Sequence, residues 1–255
     1  MNSRNTIDNR YLAPVWAIKI ERIVRYITED FLGGEKQIPM AWAINFHKIV
    51  TLFLIFGLMF YFDNFSNAAW VYLGLHGVYG YCWMIKDIGF RDASFDKLIT
   101  IHGGVLLYPL LVGWYWLLPY LFISQHTQPS GIMLFVGIAL HTLGITWMIA
   151  ADCQKHFSLK YRPGLITSGV FKYTRNPNFL GEIMIYLAYA VLVNHWLGYL
   201  VLAYGIIYFY SRMLVKDASI SRYPGWQEYA QQSSRLVPWK ALLAGTRIDS
   251  PKSQV

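Results

Sequence analysis

Charge is what this chain has least of. Only 14% of its 255 residues are Asp, Glu, Lys or Arg, well under the roughly one quarter usual in soluble domains. From Leu98 to Ala151 there is no charged residue at all. A soluble domain could not keep a stretch of that length in water. It is long enough for two membrane spans of about 20 residues each, the number that crosses roughly 30 Å of hydrocarbon. Cysteine is scarce as well. Cys82 and Cys153 are the only two, which excludes a disulfide framework and a cysteine-rich metal site. The first ten residues are polar, so no secretory signal peptide is expected there. Internal repeats and low-complexity segments are missing too.

Apolar and aromatic residues fill the rest: 55% and 17% of the chain, with mean hydropathy +0.33. The hydropathy pattern predicts an all-α, polytopic membrane bundle with six spans near 46–62, 68–86, 99–123, 131–151, 178–194 and 196–214. A seventh in the N-terminal segment is disfavoured by Lys19, Glu21, Arg22, Arg25, Glu29 and Asp30. That stretch reads instead as an amphipathic helix at the interface. The expected organisation is an N-terminal segment over 1–45, one transmembrane domain over 46–240 and a flexible tail over 241–255. All 22 Lys and Arg fall in the N-terminal segment, the 86–100 and 152–178 loops, the C-terminal part, or span ends beside them. The positive-inside rule then predicts that both termini are cytoplasmic. It also accounts for the net charge of +8 without any nucleic-acid partner. A bacterial plasma membrane and an endoplasmic reticulum membrane fit equally well.

Polar residues recur along single helix faces. On the fifth span Asn178, Glu182, Tyr186 and Tyr189 are spaced four, four and three apart and share one side. Tyr204, Tyr208, Ser211 and Arg212 do much the same on the sixth, His141, Met148 and Asp152 on the fourth, and Tyr72, His76, Tyr79, Trp83 and Asp87 on the second. An ionisable group inside a membrane usually faces a cavity or a partner. The stripes therefore predict an interior pocket opening toward the basic end. Glu182 has a plainer alternative: it snorkels to water or forms an ion pair with Arg175 or Arg212. Asn176 is a good N-cap and Pro177 suits the first helical position. The start of that helix, beside Lys172 and Arg175, could then hold an anion.

The stretch "GLITSGVFKYTRNPNFLGEIMIYLAYAVLV", residues 164–193, resembles the C-terminal core of membrane steroid 5α-reductases and their bacterial relatives. An Arg-His-Pro-Asn-Tyr-x-Gly-Glu variant of this core occurs in sterol C=C reductases and isoprenylcysteine carboxyl methyltransferases. "SRYPGWQEYAQQSSRLVPW", residues 221–239, is similar to the group's closing Tyr…Arg…Pro segment. The likeness covers about 150–239. It implies a cofactor-binding core and one of two reactions. One is NADPH-dependent reduction of an activated C=C bond in a lipophilic, sterol- or isoprenoid-like substrate. The other is methyl transfer from S-adenosylmethionine to a membrane lipid or prenylated thiol.

The "NFLGEI" form is similar to that of the 5α-reductases, where the positions of Asn178 and Glu182 hold the nicotinamide amide. Asp152, Lys160 and Arg162 look like the reductase loop that contacts adenosine and phosphates. The methyltransferases' Glu-Glu pair after the last span is Lys216-Asp217 here. The implied cofactor contacts are Asp152, Lys160, Arg162, Tyr173, Arg175, Asn178, Glu182, Arg212, Tyr229 and Arg235, with no metal. His76 and Tyr79 are the candidate catalytic residues, with Tyr81 and Asp87 nearby. The substrate would enter from the bilayer, so membrane lipids are the expected surroundings; the oligomeric state stays open. Two further readings remain: haem ligation by His76, His102 or His141, and a lipid-binding or scaffolding protein that has lost the reaction.

Overall fold

The computed structural model describes residues 12–243 and is a helical bundle. The expectation for the last residues of the tail lies outside them. Helix α1 (Val15–Arg25) runs on as a wider π turn through Tyr26–Asp30, and α2 covers Met40–Tyr61. Next come α3 (Asn67–Tyr72) and α4 (Val78–Phe90), joined through a π turn at Leu73–Gly77. The third stretch consists of α5 (Ile101–Leu107) and α6 (Leu117–Ser124), and α7 is the long helix Gly131–Tyr161. Helices α8 (Pro177–Val193) and α9 (Trp196–Ile220) form a hairpin, followed by the short α10 (Trp226–Gln232) and α11 (Trp239–Leu243). A two-stranded antiparallel pair, β1 (Ile38–Pro39) and β2 (Leu98–Ile99), ties the N-terminal segment to the loop before α5.

Helices cover all six expected spans. Among the described residues, Met40–Tyr61, Ile101–Ser124, Gly131–Tyr161 and Trp196–Ile220 are long and apolar enough to cross a membrane, and Pro177–Val193 is a shorter apolar helix. The expected 68–86 span is helical, yet its length includes His76, Lys86 and, just beyond, Asp87, which lower its hydropathy.

Several boundaries move. Helix α2 begins at Met40 rather than 46, directly after Pro39, so Lys48 lies well inside it. Helix α7 continues about three turns past 151, where Asp152 and Lys155 meet partners on α4 and its following loop. The third span is not one regular helix. Pro109 lacks an amide donor, and the chain passes through π and 3₁₀ turns over Tyr108–Val112 and Gly113–Trp116. Helix α11 crosses the expected tail boundary.

Local signals set the helix starts and stops. Ser66, Thr100 and Ser130 accept backbone N–H bonds as N-caps of α3, α5 and α7. Asn194 ends α8 in the left-handed conformation, φ 49°, and turns the chain into α9. Helix α1 lies against α9 through Ala13, Ala17 and Val215, while Trp16 stacks on Tyr210. The core is centred on Met59, Tyr72, Phe122, Met148, Ile185, Tyr189 and Met213.

Helices α7 and α8 pack backbone to backbone. A Cβ at Gly181 would stand 2.5 Å from the Gly144 carbonyl oxygen and 2.6 Å from the Met148 nitrogen; one at Gly144 would stand 2.7 Å from the Gly181 oxygen. Only glycine permits that approach, the usual device where membrane helices pack backbone to backbone. Ile185, Ala188 and Leu192 continue the same buried side of α8. This fixes the rotation of α8 and turns Asn178, Glu182 and Tyr186 toward the bundle interior. Gly181→Ala is therefore expected to destabilise the protein by about 1–3 kcal/mol, the range for overpacking a tight contact. Thermal unfolding in detergent checks this, and a melting temperature equal to wild type would refute the contact.

Candidate functional site

A cavity of about 530 Å³ lies between α2, α4, α7, α8 and α9, in the size range of small-molecule sites. Its outer end is polar. Arg25, Asp92, Lys97, Lys155, Arg212 and Lys216 come here from the N-terminal segment, the loop after α4, α7 and α9. Its inner end is aromatic and aliphatic, with Leu107, Leu111, Tyr115, Tyr186, Tyr204 and Tyr208. Asn178 and Glu182 form part of the wall between, one turn apart, with Lys48 and Lys86 in the same lining.

The charges inside are arranged unequally. Lys86 and Asp152 close a buried ion pair at 2.7 Å between α4 and α7, with Lys86 over the Trp83 ring at 3.9 Å. Lys48 lies over the rings of Tyr79 and Trp83, 4.3 and 5.1 Å from their centroids. Among the described residues neither Lys48 nor Glu182 closes an ion pair with any other group. Lys86, Asp152 and Lys48 are the charges nearest to Glu182 in effect. A cation and a carboxyl group thus share one interior space unpaired, an arrangement costly in a membrane protein unless something else occupies the gap. At the outer end, burial alone would raise the Asp92 carboxyl. The Lys155 ammonium beside it and the Ser94 N–H hold it well below the usual carboxylate range instead.

The family described as protein of unknown function, DUF1295, matches residues 25–232. The chain belongs to the DUF1295 family. The match takes in the cavity lining from Arg25 to Lys216. An uncharacterized protein of Schizosaccharomyces pombe is similar to this DUF1295 chain, 25% identical over 196 residues that make up 68% of each.

Four of the ten implied cofactor contacts line the cavity of the DUF1295 chain: Asp152, Asn178, Glu182 and Arg212. The other six lie elsewhere. Arg175 is buried, and its guanidinium donates to Asp217 at 3.1 Å and to the carbonyls of Ser233 and Ala230. Arg235 donates to the same Asp217 oxygen at 3.0 Å and to the Tyr210 hydroxyl at 2.9 Å. The Arg175 N–H donates to the Ser234 carbonyl, and the Ser234 N–H to the Tyr173 carbonyl. The two resembling segments thus form a clasp that holds the start of α8 onto the end of α9.

Asn176 does not cap α8 with its side chain; its amide donates to the Arg235 carbonyl at 2.9 Å. The expected anion site at that helix start is overturned, because Arg175 is committed to Asp217. Glu182 pairs with neither Arg175 nor Arg212 among the described residues, so the ion-pair alternative falls. Tyr229 donates to the Phe171 carbonyl at 2.7 Å, and burial pushes its phenol up to about 12. Tyr173 is 44% exposed on the clasp's surface. Lys160 and Arg162 sit exposed at the far end of α7, outside the cavity wall.

The candidate catalytic pair is also displaced. His76 is within hydrogen-bonding distance of the Tyr72 hydroxyl, 3.1 Å, and stacks on Tyr189 with centroids 4.0 Å apart. The Tyr79 hydroxyl points to the Met148 sulfur at 3.8 Å. Both residues line a second, small pocket that shares Lys48, Tyr115 and Tyr186 with the large cavity. His76 and Tyr79 therefore stand behind the cavity wall. Asp87 is held by Asn45 and Arg91. His76 and His141 both contact Tyr189, which fills the space between them and leaves no room there for a porphyrin. Lys48, Lys86 and Tyr115 were not among the candidates. The signal for the lysines was their place within or at the end of apolar helices, where topogenic charge was the competing explanation. Tyr115 lies in the aromatic run "GWYWLLPY" and carries no such mark.

Proposed function

We propose that this DUF1295 protein is an integral membrane, NADPH-dependent reductase of an activated C=C bond in a lipophilic substrate. The observation that carries the reading is the charge pattern of the cavity. Its lining has seven Lys and Arg (25, 48, 86, 97, 155, 212, 216) and five Asp and Glu (21, 29, 92, 152, 182). A pyrophosphate and a 2′-phosphate suit the basic outer end. Asn178 and Glu182 offer acceptors for a carboxamide N–H, and the aromatic inner end suits flat, apolar rings. S-adenosylmethionine, with its sulfonium and ammonium, would bring more positive charge beside Lys48 and Lys86. The resemblance of residues 164–193 to 5α-reductases supports the same choice, as does the relation of DUF1295 to steroid 5α-reductase-like proteins.

When bound, the cofactor would supply hydride. The chain's own residues would bind and orient. Arg212 and Lys216 face the anionic part, and Asn178 and Glu182 hold the carboxamide. The tyrosine-lined inner end keeps water from the reacting carbon. The basic end of the bundle faces the cytoplasm in this reading, with both termini on that side. A reporter inserted at Gln125 should then report the opposite face from one at the C-terminus, and the same face for both would refute the orientation.

Equilibrium titration of the detergent-solubilised protein tests the cofactor. NADPH should bind more tightly than NADH, and S-adenosylmethionine should not compete. Glu182→Gln keeps shape but removes the charge, and should weaken NADPH by about 1–3 kcal/mol. Arg212→Ala should weaken it by a similar amount without loss of stability. Arg175→Ala should instead lower stability by about 3–5 kcal/mol, because it strips a buried partner from Asp217. Tight S-adenosylmethionine binding with no NADPH binding would move the assignment to a membrane methyltransferase.

A further inference from the structure

Helix α1 carries its residues the wrong way round for a helix in water. Toward the protein it buries small side chains: Ala17, with Ala13 just before the helix, meets Val215 of α9 in a cluster separate from the main core. Its large apolar residues point away. Val15 is 69% exposed, Ile23 57% and Tyr26, at the helix end, 55%. A helix on a soluble protein shows the reverse, apolar toward the core and polar outward. The spacing sorts α1 into two stripes. Ala17, Glu21, Val24 and Thr28, spaced four, three and four apart, face inward, and the last three line the large cavity. Val15, Lys19, Arg22 and Tyr26 repeat that spacing, and all four are exposed. Of the three basic residues on α1, only Arg25 has a carboxylate partner among the described residues, Glu29 at 4.0 Å.

Two contacts fix the level at which α1 lies. A Cβ at Gly103 would stand 2.2 Å from the Thr28 carbonyl oxygen, so the far end of the segment is pressed on the first turn of the Ile101–Ser124 stretch. The near end meets Val215, within about two turns of the end of α9 at Ile220. Both contacts are at the ends of membrane-crossing stretches, on the basic side of the bundle. Helix α1 therefore lies across the boundary of the hydrocarbon, and its outer stripe meets the headgroup layer.

We propose that the outer stripe of α1 is a docking surface for anionic membrane lipid, with Lys19 and Arg22 on the headgroup phosphates and Val15, Ile23 and Tyr26 in the acyl layer. Charge complementarity selects this occupant. The exposed apolar side chains need an apolar medium, and the two cations among them need anions at the same level. A lipid supplies both at once, whereas a free phosphate would leave the apolar residues in water. The long stems of Lys19 and Arg22 can cross the apolar zone while their heads stay with the phosphates. A leaflet with net negative charge adds an attraction that a zwitterionic one does not. The inner stripe is a wall of the cavity, so the helix that meets the lipid also borders the ligand space. This inference is independent of which reaction the cavity performs.

The full chain in lipid bilayer discs tests it. Ile23→Cys, with Cys82 and Cys153 replaced by serine, carries an apolar fluorophore, and quenching by acrylamide, which is uncharged, reads how far the outer stripe is withdrawn from water. Discs of phosphatidylcholine alone are compared with discs containing increasing phosphatidylglycerol. Quenching should fall several-fold as phosphatidylglycerol is added. Lys19→Gln and Arg22→Gln should each raise the fraction of phosphatidylglycerol needed for half the effect about fivefold, the factor for one basic residue at an anionic surface. Lys19→Arg should keep the wild-type response, and so should Arg222→Gln, an exposed arginine beyond the end of α9. Salt at 1 M should return quenching toward its level in phosphatidylcholine, because it screens charges beyond about 3 Å. Equal quenching in both kinds of disc, or a response that survives Lys19→Gln and Arg22→Gln together, overturns the proposal. Protection by inorganic phosphate in phosphatidylcholine discs, equal to that by phosphatidylglycerol, would make this a free-anion site and overturn it too.

Discussion

Gly144 and Gly181 bring the backbones of α7 and α8 into contact, and much else follows from that approach. A helix has one rotation about its axis, so packing Gly181, Ile185 and Leu192 against α7 leaves the adjacent side, roughly a quarter turn round, for Asn178, Glu182 and Tyr186. The glycine in "NFLGE" is thus a packing residue that aims its neighbours. The clasp adds position along the axis. Asp217 receives both Arg175 and Arg235, binding the residues just before α8 to the segment after α10. Ordinary packing residues and a buried ionic hub therefore set where the cavity wall stands. Two of the four arginines expected to touch a cofactor, Arg175 and Arg235, perform this supporting task instead.

Inside that frame the charges are unevenly satisfied. Lys86 and Asp152 form a closed pair, which removes most of the electrostatic penalty of burying either. Lys48 and Glu182 stay open toward the same space. Leaving both unpaired costs stability, and in the proposed function a bound group completes the arrangement. There Glu182 serves the cofactor from α8, while Lys48 faces the same space from α2.

The helical membrane architecture was legible because apolar runs and their flanking caps are local signals. Pro177 holds the first helical position expected of it, and Ser66, Thr100 and Ser130 are further local caps that the structure adds. The Asn178–Glu182 stripe was legible for the same reason, since a spacing of four fixes a shared face. Pairing between distant elements was not. Nothing near Arg175 in the chain reveals that Asp217 will receive it, and nothing near Lys86 reveals Asp152. Basic residues beside a motif invite the reading that they bind phosphate, whereas tertiary contacts had already engaged Arg175 and Arg235. The third stretch reads in the sequence as one continuous span despite Pro109, and the consequence of the break there, a turn that places Tyr115 beside Gly205, depends on the whole bundle.

The central claim is that Asn178, near the start of α8, borders a cofactor cavity, while Ile185, about two turns deeper, is packed against Gly144 of α7. Single cysteines at these positions, in a background with Cys82 and Cys153 replaced by serine, test it directly through reaction with a small polar thiol reagent. Asn178→Cys should react readily, and NADPH should protect it, whereas Ile185→Cys should react slowly with or without ligand. Equal reactivity at both positions, or an Asn178→Cys rate that NADPH leaves unchanged, would contradict the account.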